Sequence, residues 1–339
     1  MSDAGEWDAP HIVVPPPGPE SRRYMEKEKK LFFATWYKDK DVPFILRRKK
    51  GWTLEDVDGN RYIDMVTGWA STPLGAGHPE VMEAVIEALW ESGGIECTDY
   101  VTDYHLFALA EKLVAISPKR LTRVAPDTTG TEAVEAAVRL VREASGRPFV
   151  ITFHGAFHGG NYGAAGAGPL SPDVTKGIKQ FILGYIHVPY PYCYRCPFRL
   201  TYPQCNLACL DYIEDVVLRY ETYPDQIAGV LIEPIEGENG VIIPPNSYMP
   251  GLRALCDKYG WYLIADEVQT GFGRTGKMFA VELWDVEPDL MPLAKALSGG
   301  ALPIAAVLGT EEVMTASDEI YLGGTFAWQG AACAGAVSY

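Results

Sequence analysis

The sequence has no long hydrophobic run and no basic-then-apolar stretch at its start. A membrane span needs roughly 18 uncharged apolar residues, so we expect no membrane partner and a cytoplasmic location. Positive charge is also scarce, because 29 Lys and Arg stand against 44 Asp and Glu, a formal charge of −15. Such a surface repels phosphate backbones, which excludes nucleic acid as an expected partner.

The seven cysteines are an odd number, which argues against a complete disulfide framework. Four of them have the spacing C-x2-C-x8-C-x3-C inside an aromatic, proline-bearing stretch: Cys193, Cys196, Cys205 and Cys209. Paired thiolates with short loops can close a tetrahedral zinc site. A surface insertion whose free thiols pack against aromatic side chains explains the same residues. Both interpretations stay open, and we assign no metal ligands.

The N-terminal part of the chain predicts an arm followed by short strands. Residues 1–20 are rich in proline and have little apolar periodicity, which is typical of a disordered or loosely draped arm. Helical spacing from Glu26 to Trp36 then starts the folded body. Three short strands are predicted at Phe44–Leu46, Trp52–Leu54 and Tyr62–Met65, with an Asp-Gly-Asn hairpin turn at residues 58–60.

The middle of the chain alternates helices with buried strands. Apolar spacing predicts helices at Glu80–Trp90, His105–Ile116, Glu132–Arg142 and about Ser247–Tyr259, and strands at Phe149–Phe153, Ala228–Ile235 and Trp261–Ala265. The strand–helix–strand order from Ala228 to Ala265 implies parallel strands joined by a right-handed crossover. We therefore expect an α/β fold, with Glu233 and Asp266 at the carboxyl edge of the sheet, where open α/β sheets bind ligands.

One stretch, WYLIADEVQTGFGRTG at residues 261–276, carries an acid at the end of a buried strand. A carboxylate in such a place is costly unless it meets a positive partner. For Asp266 alone, capping of the next turn is the commoner explanation. Lys295, however, is the single lysine of a largely apolar run at residues 289–297. A buried lysine loses its charge and becomes a nucleophile that condenses with carbonyls.

These residues resemble the class III (omega-type) aminotransferase family of pyridoxal-phosphate enzymes of fold type I. An aspartate that keeps a pyridine nitrogen protonated and a lysine that forms a Schiff base are the two groups that pyridoxal 5'-phosphate chemistry requires. DEVQTGFGRTG with a lysine 29 positions after Asp266 is a specific match, and related motifs cover roughly residues 25–335.

The resemblance implies a domain plan. It consists of a large domain with a mostly parallel central sheet flanked by helices, and a smaller α+β domain that is incomplete here. In residues, an arm at 1–20 precedes the N-terminal part of the small domain at 21–75. The large cofactor-binding domain follows at 76–325 with a cysteine-rich insertion at 190–210, and a truncated C-terminal segment begins at 326–339.

The resemblance also assigns cofactor-binding residues. TGTEAVE looks like a phosphate-binding turn in which Gly130 and Thr131 donate to the cofactor phosphate, although a Thr129–Glu132 capping box explains the same residues. In HGAFHGG, Phe157 would stack on the pyridine ring beside His158, which we do not assign to catalysis. Val268 would pack on the opposite ring face, Gln269 would bond the phenolic oxygen, and Thr325 would reach the phosphate of a neighbouring subunit.

Two acids and a tryptophan are assigned in the same way. EPIEGENG resembles the family's EPIQGEGG, with Glu236 in place of the usual glutamine. Glu233 would lie near the cofactor's hydroxyl edge, and Glu238 would be the pocket-side acid that can pair with a substrate-binding arginine. Either acid could instead be a solvated loop charge. Trp69, or Ala70 and Ser71 beside it, would line the substrate pocket, and Trp69 could instead pack in the core.

The implied function is transamination, in which an amino group passes from an amine or amino acid to a 2-oxo acid through a Lys295 Schiff base, with Asp266 as the second catalytic residue. A homodimer with shared active sites is implied. Two alternatives stay open: a racemase (epimerase) or decarboxylase with the same cofactor, and an inactive binding or dimerisation remnant. The second arises because family members usually continue beyond this length, so we expect a fragment or a truncated product.

Overall fold

The computed structural model describes residues 8–34, 42–95 and 100–339. Its N-terminal part contains helix α1 (Pro19–Leu31) and an antiparallel sheet of strands β1 (Leu46–Lys50), β2 (Thr53–Asp56) and β3 (Arg61–Ile63). The turn predicted at residues 58–60 joins β2 to β3, as expected. Asn60 fixes this turn, because its side chain is buried and donates to Asp56 Oδ2 over 2.9 Å.

The structure differs from the predictions in this part of the chain. The described residues of the predicted loose arm are anchored, since His11 pairs with Arg61 and the Asn60 side chain accepts hydrogen bonds from the backbone of Val13 and Val14. The first helix begins inside the predicted arm and ends at Leu31, and residues 35 and 36 of the predicted helix lie outside the described residues. The strands are displaced by one to a few residues from the predicted ranges.

A seven-stranded sheet is the centre of the remaining part of the chain. Its strands are β4 (Arg123–Asp127), β5 (Phe149–His154), β6 (Tyr185–Pro189), β7 (Ile227–Ile232), β8 (Tyr262–Ala265), β9 (Leu290–Leu293) and β10 (Ala305–Gly309). They lie in the order β4-β10-β9-β8-β7-β5-β6. Only β10 runs against its neighbours, so the sheet is mixed but mostly parallel. The predicted α/β fold is confirmed.

Helices occupy much of the chain after β3, and several of them cover the two faces of this sheet. In chain order they are α2 (Thr67–Ala70), α3 (Pro79–Ser92), α4 (Tyr104–Ile116), α5 (Gly130–Ser145), α6 (Tyr162–Ala167), α7 (Ala208–Tyr212), α8 (Leu218–Tyr220), α9 (Tyr248–Tyr259), α10 (Glu311–Met314) and α11 (Gly330–Ser338). Successive strand residues point to opposite faces. Val307 packs with the α5 side chains, whereas Leu308 packs with those of α4 and α11. The sheet is therefore the middle layer of three.

Several helix ends carry residues that are typical of helix caps. A capping box of Thr129 and Glu132 starts α5, and the left-handed residues Gly93, Gly146 and Gly260 follow the ends of α3, α5 and α9. Strands β7 and β8 are parallel and joined by α9, which confirms the predicted crossover unit. Among the described residues, no helix combines the length and apolar character that crossing a bilayer requires.

Candidate active site

Parallel strands deliver side chains to one edge of the large sheet. Phe157 and His158 follow β5, Glu233 follows β7, Asp266 follows β8, and Lys295 follows β9. All five line one cleft of about 410 Å³. Small-molecule sites occupy roughly 300–1,000 Å³, so this cleft has the size of a ligand site.

Lys295 opens the tight turn that follows β9. Its side chain is 24% exposed, and its Nζ lies 3.9 Å from Glu238 Oε1. Its backbone has a φ of 43°, a left-handed conformation that is uncommon for residues other than glycine. Both flanking residues, Ala294 and Ala296, are buried, so the amine emerges from an apolar base into the cleft.

Asp266 is held by two contacts on opposite oxygens. Its Oδ2 lies 2.6 Å from His158 Nδ1, and its Oδ1 accepts a hydrogen bond of 3.0 Å from the Val268 backbone. Both side chains of the Asp266–His158 pair are almost completely buried. Within the described part of the chain, His158 Nε2 has no hydrogen-bond partner. His158 is therefore placed to orient the aspartate.

Glu233 ties two segments of the cleft wall together. Its Oε1 accepts a hydrogen bond of 2.8 Å from the Phe157 backbone, and its Oε2 accepts one of 3.0 Å from the Gly237 backbone. Burial raises the pKa of this carboxyl, while the charge of His158 opposes the rise. Behind it, the Tyr190 hydroxyl donates to the backbone carbonyl of Glu233 over 3.1 Å. Glu233 is thus a structural acid that also borders the cleft.

Glu238, Gln269 and Lys295 meet on another side of the cleft. Gln269 Nε2 donates to Glu238 Oε1 over 3.1 Å, the same oxygen that lies near Lys295. The backbone of Gly237 passes so close that any Cβ there would collide with the Gln269 side chain. A side chain at this position would have to displace the end of the Gln269 side chain, which carries the hydrogen bond to Glu238.

The start of α5 forms a polar end of the cleft. The Thr129 hydroxyl accepts from the Glu132 backbone, and Glu132 in turn accepts from the Thr129 backbone. The first backbone N–H groups of a helix have no partner within it, and the helix dipole makes this end positive. Gly130 and Thr131 line the cleft here. A Cβ at Gly130 would lie 2.9 Å from Val268, so glycine also lets the helix start approach that side chain.

Two residues predicted for the site lie outside this cleft. Trp69 has 66% of its surface exposed, so it neither lines the cleft nor packs in the core, whereas Ser71, two residues later, does line the cleft. Thr325 is exposed and lies outside the cleft of its own chain, and its role in a neighbouring subunit stays a prediction. The sequence prediction missed other lining residues, namely Lys49, Thr72, Thr128, Ser298 and residues 300–304. Adjacency to a motif could have identified Thr128, whereas Lys49 had no signal because it comes from the separate three-stranded sheet.

Comparison with known proteins gives a consistent result. Residues 35–338 match the family model described as aminotransferase class-III. The chain is 37% identical over 292 residues to an acetylornithine aminotransferase of Methanopyrus kandleri, covering 86% of this chain and 68% of that protein. It is 34% identical over 309 residues to an alanine/serine racemase of Pyrococcus horikoshii, covering 90% of this chain and 65% of that protein. The chain thus spans about two thirds of the length of these curated relatives.

A solved structure agrees with the sequence matches. The taurine:2-oxoglutarate aminotransferase of Bifidobacterium kashiwanohense, determined in complex with PLP and glutamate, superposes with a TM-score of 0.84 at 30% identity. The match covers 94% of this chain and 72% of that one. The sheet order, the carboxyl-edge cleft and these comparisons agree, and the chain belongs to the class III aminotransferase family.

Proposed function

We propose that this chain catalyses pyridoxal-phosphate-dependent transfer of an amino group from an amine or amino acid to a 2-oxo acid. The observation that carries the proposal is the position of Lys295 and Asp266 in one cleft, at the ends of the adjacent strands β9 and β8. A lysine amine and a carboxylate partner for the pyridinium nitrogen are the protein groups that this cofactor needs. Family membership supports the same reaction.

The residues present fit the cofactor. An aromatic face is available because Phe157 is 36% exposed at the cleft wall. An anion can be held at the start of α5 by the backbone of Gly130 and the backbone and hydroxyl of Thr131. The buried Asp266, braced by His158, is suited to a cationic nitrogen. Gln269 and Val268 complete the proposed set, together with Glu233 behind Phe157.

When bound, the cofactor supplies an electron sink for a carbanion next to the amino group. The work of the chain is to hold and move protons around it. The Lys295 amine, as a free base, would remove the proton from the substrate carbon that bears the amino group. It would then return the proton to the carbon on the other side of that nitrogen. His158 Nδ1 and the Val268 N–H contact the two Asp266 oxygens and so fix the direction in which this side chain would face a positive group. Glu238, 3.9 Å from Lys295 Nζ, is an acceptor for the charged form of that amine.

Racemisation is a second candidate because the alanine/serine racemase and a leucine/methionine racemase of Thermococcus litoralis are among the relatives. The same lysine can return a proton to either face of a carbon. The two reactions differ in product: transamination forms a new 2-oxo acid, whereas racemisation changes only optical activity. The chain is incubated with a single enantiomer of an amino acid, and both the 2-oxo acid and the optical activity are then measured. The two measurements distinguish transamination from racemisation.

The partners are part of the same proposal. We propose a homodimer with shared active sites, which would give the exposed Thr325 a role in the partner's phosphate site. Sedimentation equilibrium measures the assembly. A lower cofactor affinity of Thr325→Ala in the dimer is the expected result. The expected cytoplasmic location remains a prediction, to be checked by cell fractionation.

The decisive experiment is reductive trapping. The chain is incubated with pyridoxal 5'-phosphate, its absorbance is recorded, and borohydride is added before peptide mapping. We expect a visible absorbance band that borohydride removes, and a label on the peptide that contains Lys295. Lys295→Ala should lose the label, the band and turnover.

Lys277→Ala is the matched control, because Lys277 is exposed and lies outside the cleft lining. It should keep the label and the turnover. A label on another lysine, or equal labelling of Lys295→Ala, contradicts the proposed function.

A further inference from the structure

We propose that Cys193, Cys196, Cys205 and Cys209 bind one zinc ion, at a site separate from the cleft. The four side chains line a single small cavity, although they span 17 residues of sequence. The rest of its wall is aromatic, proline and aliphatic, and no Asp, Glu, Lys or Arg lines it. Four thiols without a competing charged group form a soft ligand set, which favours zinc over hard cations.

The size of the cavity favours a single ion. Its volume is about 20 Å³, and a cavity needs roughly 10–15 Å³ of this measure to hold one water molecule. An organic ligand is therefore too large, and an iron–sulfur cluster would need further space for its inorganic sulfide. One tetrahedrally coordinated ion matches both the space and the number of thiols.

The backbone brings the sulfur atoms to one place by two short turns. A single 3₁₀ turn, Cys193–Arg195, connects the first pair of cysteines. The second pair brackets Asn206 and Leu207, which both have positive φ angles of 49° and 61°. Non-glycine residues persist in this conformation where surrounding contacts over-determine it. A metal that ties the two turns together would be such a contact.

The four thiols need a cation if they are to be deprotonated together. Four thiolates around one small cavity would otherwise repel one another. Zinc binding displaces one proton from each thiol and leaves four thiolates around the ion, so the repulsion is compensated.

The four thiols share one cavity, but their side-chain conformations do not yet form a coordination site. Among the described residues, no three His, Cys, Asp or Glu side chains are already arranged to hold a metal. The cavity gathers the thiols around its wall, and side-chain rotation within it would have to close the coordination. Zinc has no geometric preference from its d electrons, so the four ligands alone decide the final geometry.

The proposed zinc site would support the candidate active site from behind. Tyr190 forms part of the cavity wall, and its hydroxyl donates to the backbone carbonyls of Glu233 and Pro234 over 3.1 and 3.2 Å. Tyr190 also packs edge to face on the buried Phe153 of β5. The ion would thus stiffen the segment that fixes the ends of β5 and β7, a structural role and not a catalytic one.

The test begins with the unmodified chain, purified without chelator, supplied with zinc and then freed of unbound metal. Elemental analysis should give one zinc per chain. Titration with a thiol-blocking mercurial in the presence of a chromogenic chelator should release that zinc as the four cysteines react. Cobalt(II) substitution should give the intense visible bands of a tetrahedral thiolate site.

Variants assign the ligands. Cys205→Ser and the double variant Cys193→Ser/Cys196→Ser should lose the bound zinc, whereas Cys256→Ala should keep it, because Cys256 is buried in α9 outside the cavity. The measurements on the unmodified chain decide the matter even if the serine variants do not fold. Absence of stoichiometric metal, iron accompanied by inorganic sulfide, or disulfides among the four cysteines would each overturn the proposal. None of these outcomes bears on Lys295 trapping.

Discussion

The carboxylate of Asp266 depends on a histidine that is 108 residues away in sequence. The 2.6 Å contact with His158 Nδ1 and the Val268 backbone bond are the hydrogen bonds that compensate its burial. Removing one partner of a buried ionic pair leaves an uncompensated charge. The position of the aspartate therefore depends on His158, which lies in the loop after β5.

We predict that His158→Ala lowers the stability of the folded chain by about 3 kcal/mol and also lowers turnover. His158→Asn should recover much of both, because an asparagine amide can donate from nearly the same place as Nδ1. Urea unfolding and steady-state rates measure the two effects. If the Ala and Asn variants have the same stability and the same turnover, the hydrogen bond to Asp266 does not cause the effect.

The roles of single residues were only partly accessible from the sequence. The motifs identified Asp266, Lys295, Phe157 and His158 as site residues, and these do line one cleft. The sequence did not indicate the His158–Asp266 contact, because it depends on β5 and β8 lying on either side of β7. Long-range contacts of this kind follow from strand order, which a local pattern does not contain.

At the scale of elements, the start of α5 has two roles. The capping box of Thr129 and Glu132 satisfies the backbone at the helix start, and the adjoining residues Gly130 and Thr131 line the cleft. The sequence left the capping and phosphate-binding interpretations as alternatives. The structure contains the capping box, and its presence is compatible with an anion site one residue further on.

We predict that Thr129→Ala destabilises the chain by about 1 kcal/mol, because the first turn of α5 loses the hydroxyl that caps it. Thr129→Ser keeps a hydroxyl and should stay close to the unmodified chain. Urea unfolding of the three proteins provides the comparison. Equal stability of the Ala and Ser variants would show that the cap contributes nothing measurable.

Elements with strong periodicity were predicted well, and those without it were not. Helices α3, α4, α5 and α9 agree with the prediction to within a few residues, because a continuous apolar stripe marks each of them. The predicted ranges of β1 to β3 are displaced from the observed strands. In β1, for example, all five residues are exposed, so the sequence has no alternation of apolar and polar side chains that would mark the strand. The anchoring of residues 11–14 was missed because it depends on one buried side chain, Asn60, in the hairpin.

For the whole molecule, buried carboxyls set the response to pH. Burial raises the pKa of Glu236 to about 8, and it raises those of Glu267 and Asp127 to about 7. Between the ordinary pKa of these groups and the raised values, the folded chain binds more protons than the unfolded one. The free energy of unfolding therefore contains a contribution that is fully present at low pH and is lost as pH rises through about 7 to 8.

We predict that Glu236→Gln stabilises the chain at about pH 9 and has little effect at about pH 5, because glutamine removes the cost of a buried charge without changing the shape. The Asn239 amide, which donates to Glu236 over 3.0 Å, can donate equally to a glutamine oxygen. Urea unfolding between these two pH values measures how the free energy of unfolding changes with pH. The exposed Glu111→Gln is the control, and a similar slope in both variants would contradict the assignment.

The backbone conformation of Lys295 affects the stability of the folded chain. A residue other than glycine held at positive φ costs about 1–3 kcal/mol. Lysine at this position therefore lowers the free energy of unfolding relative to glycine. Lys295→Gly should be as inactive as Lys295→Ala and yet melt at a higher temperature than that variant, since glycine adopts the left-handed conformation without strain. Lysine therefore costs stability at this position, a cost that the proposed reactivity of its amine would explain.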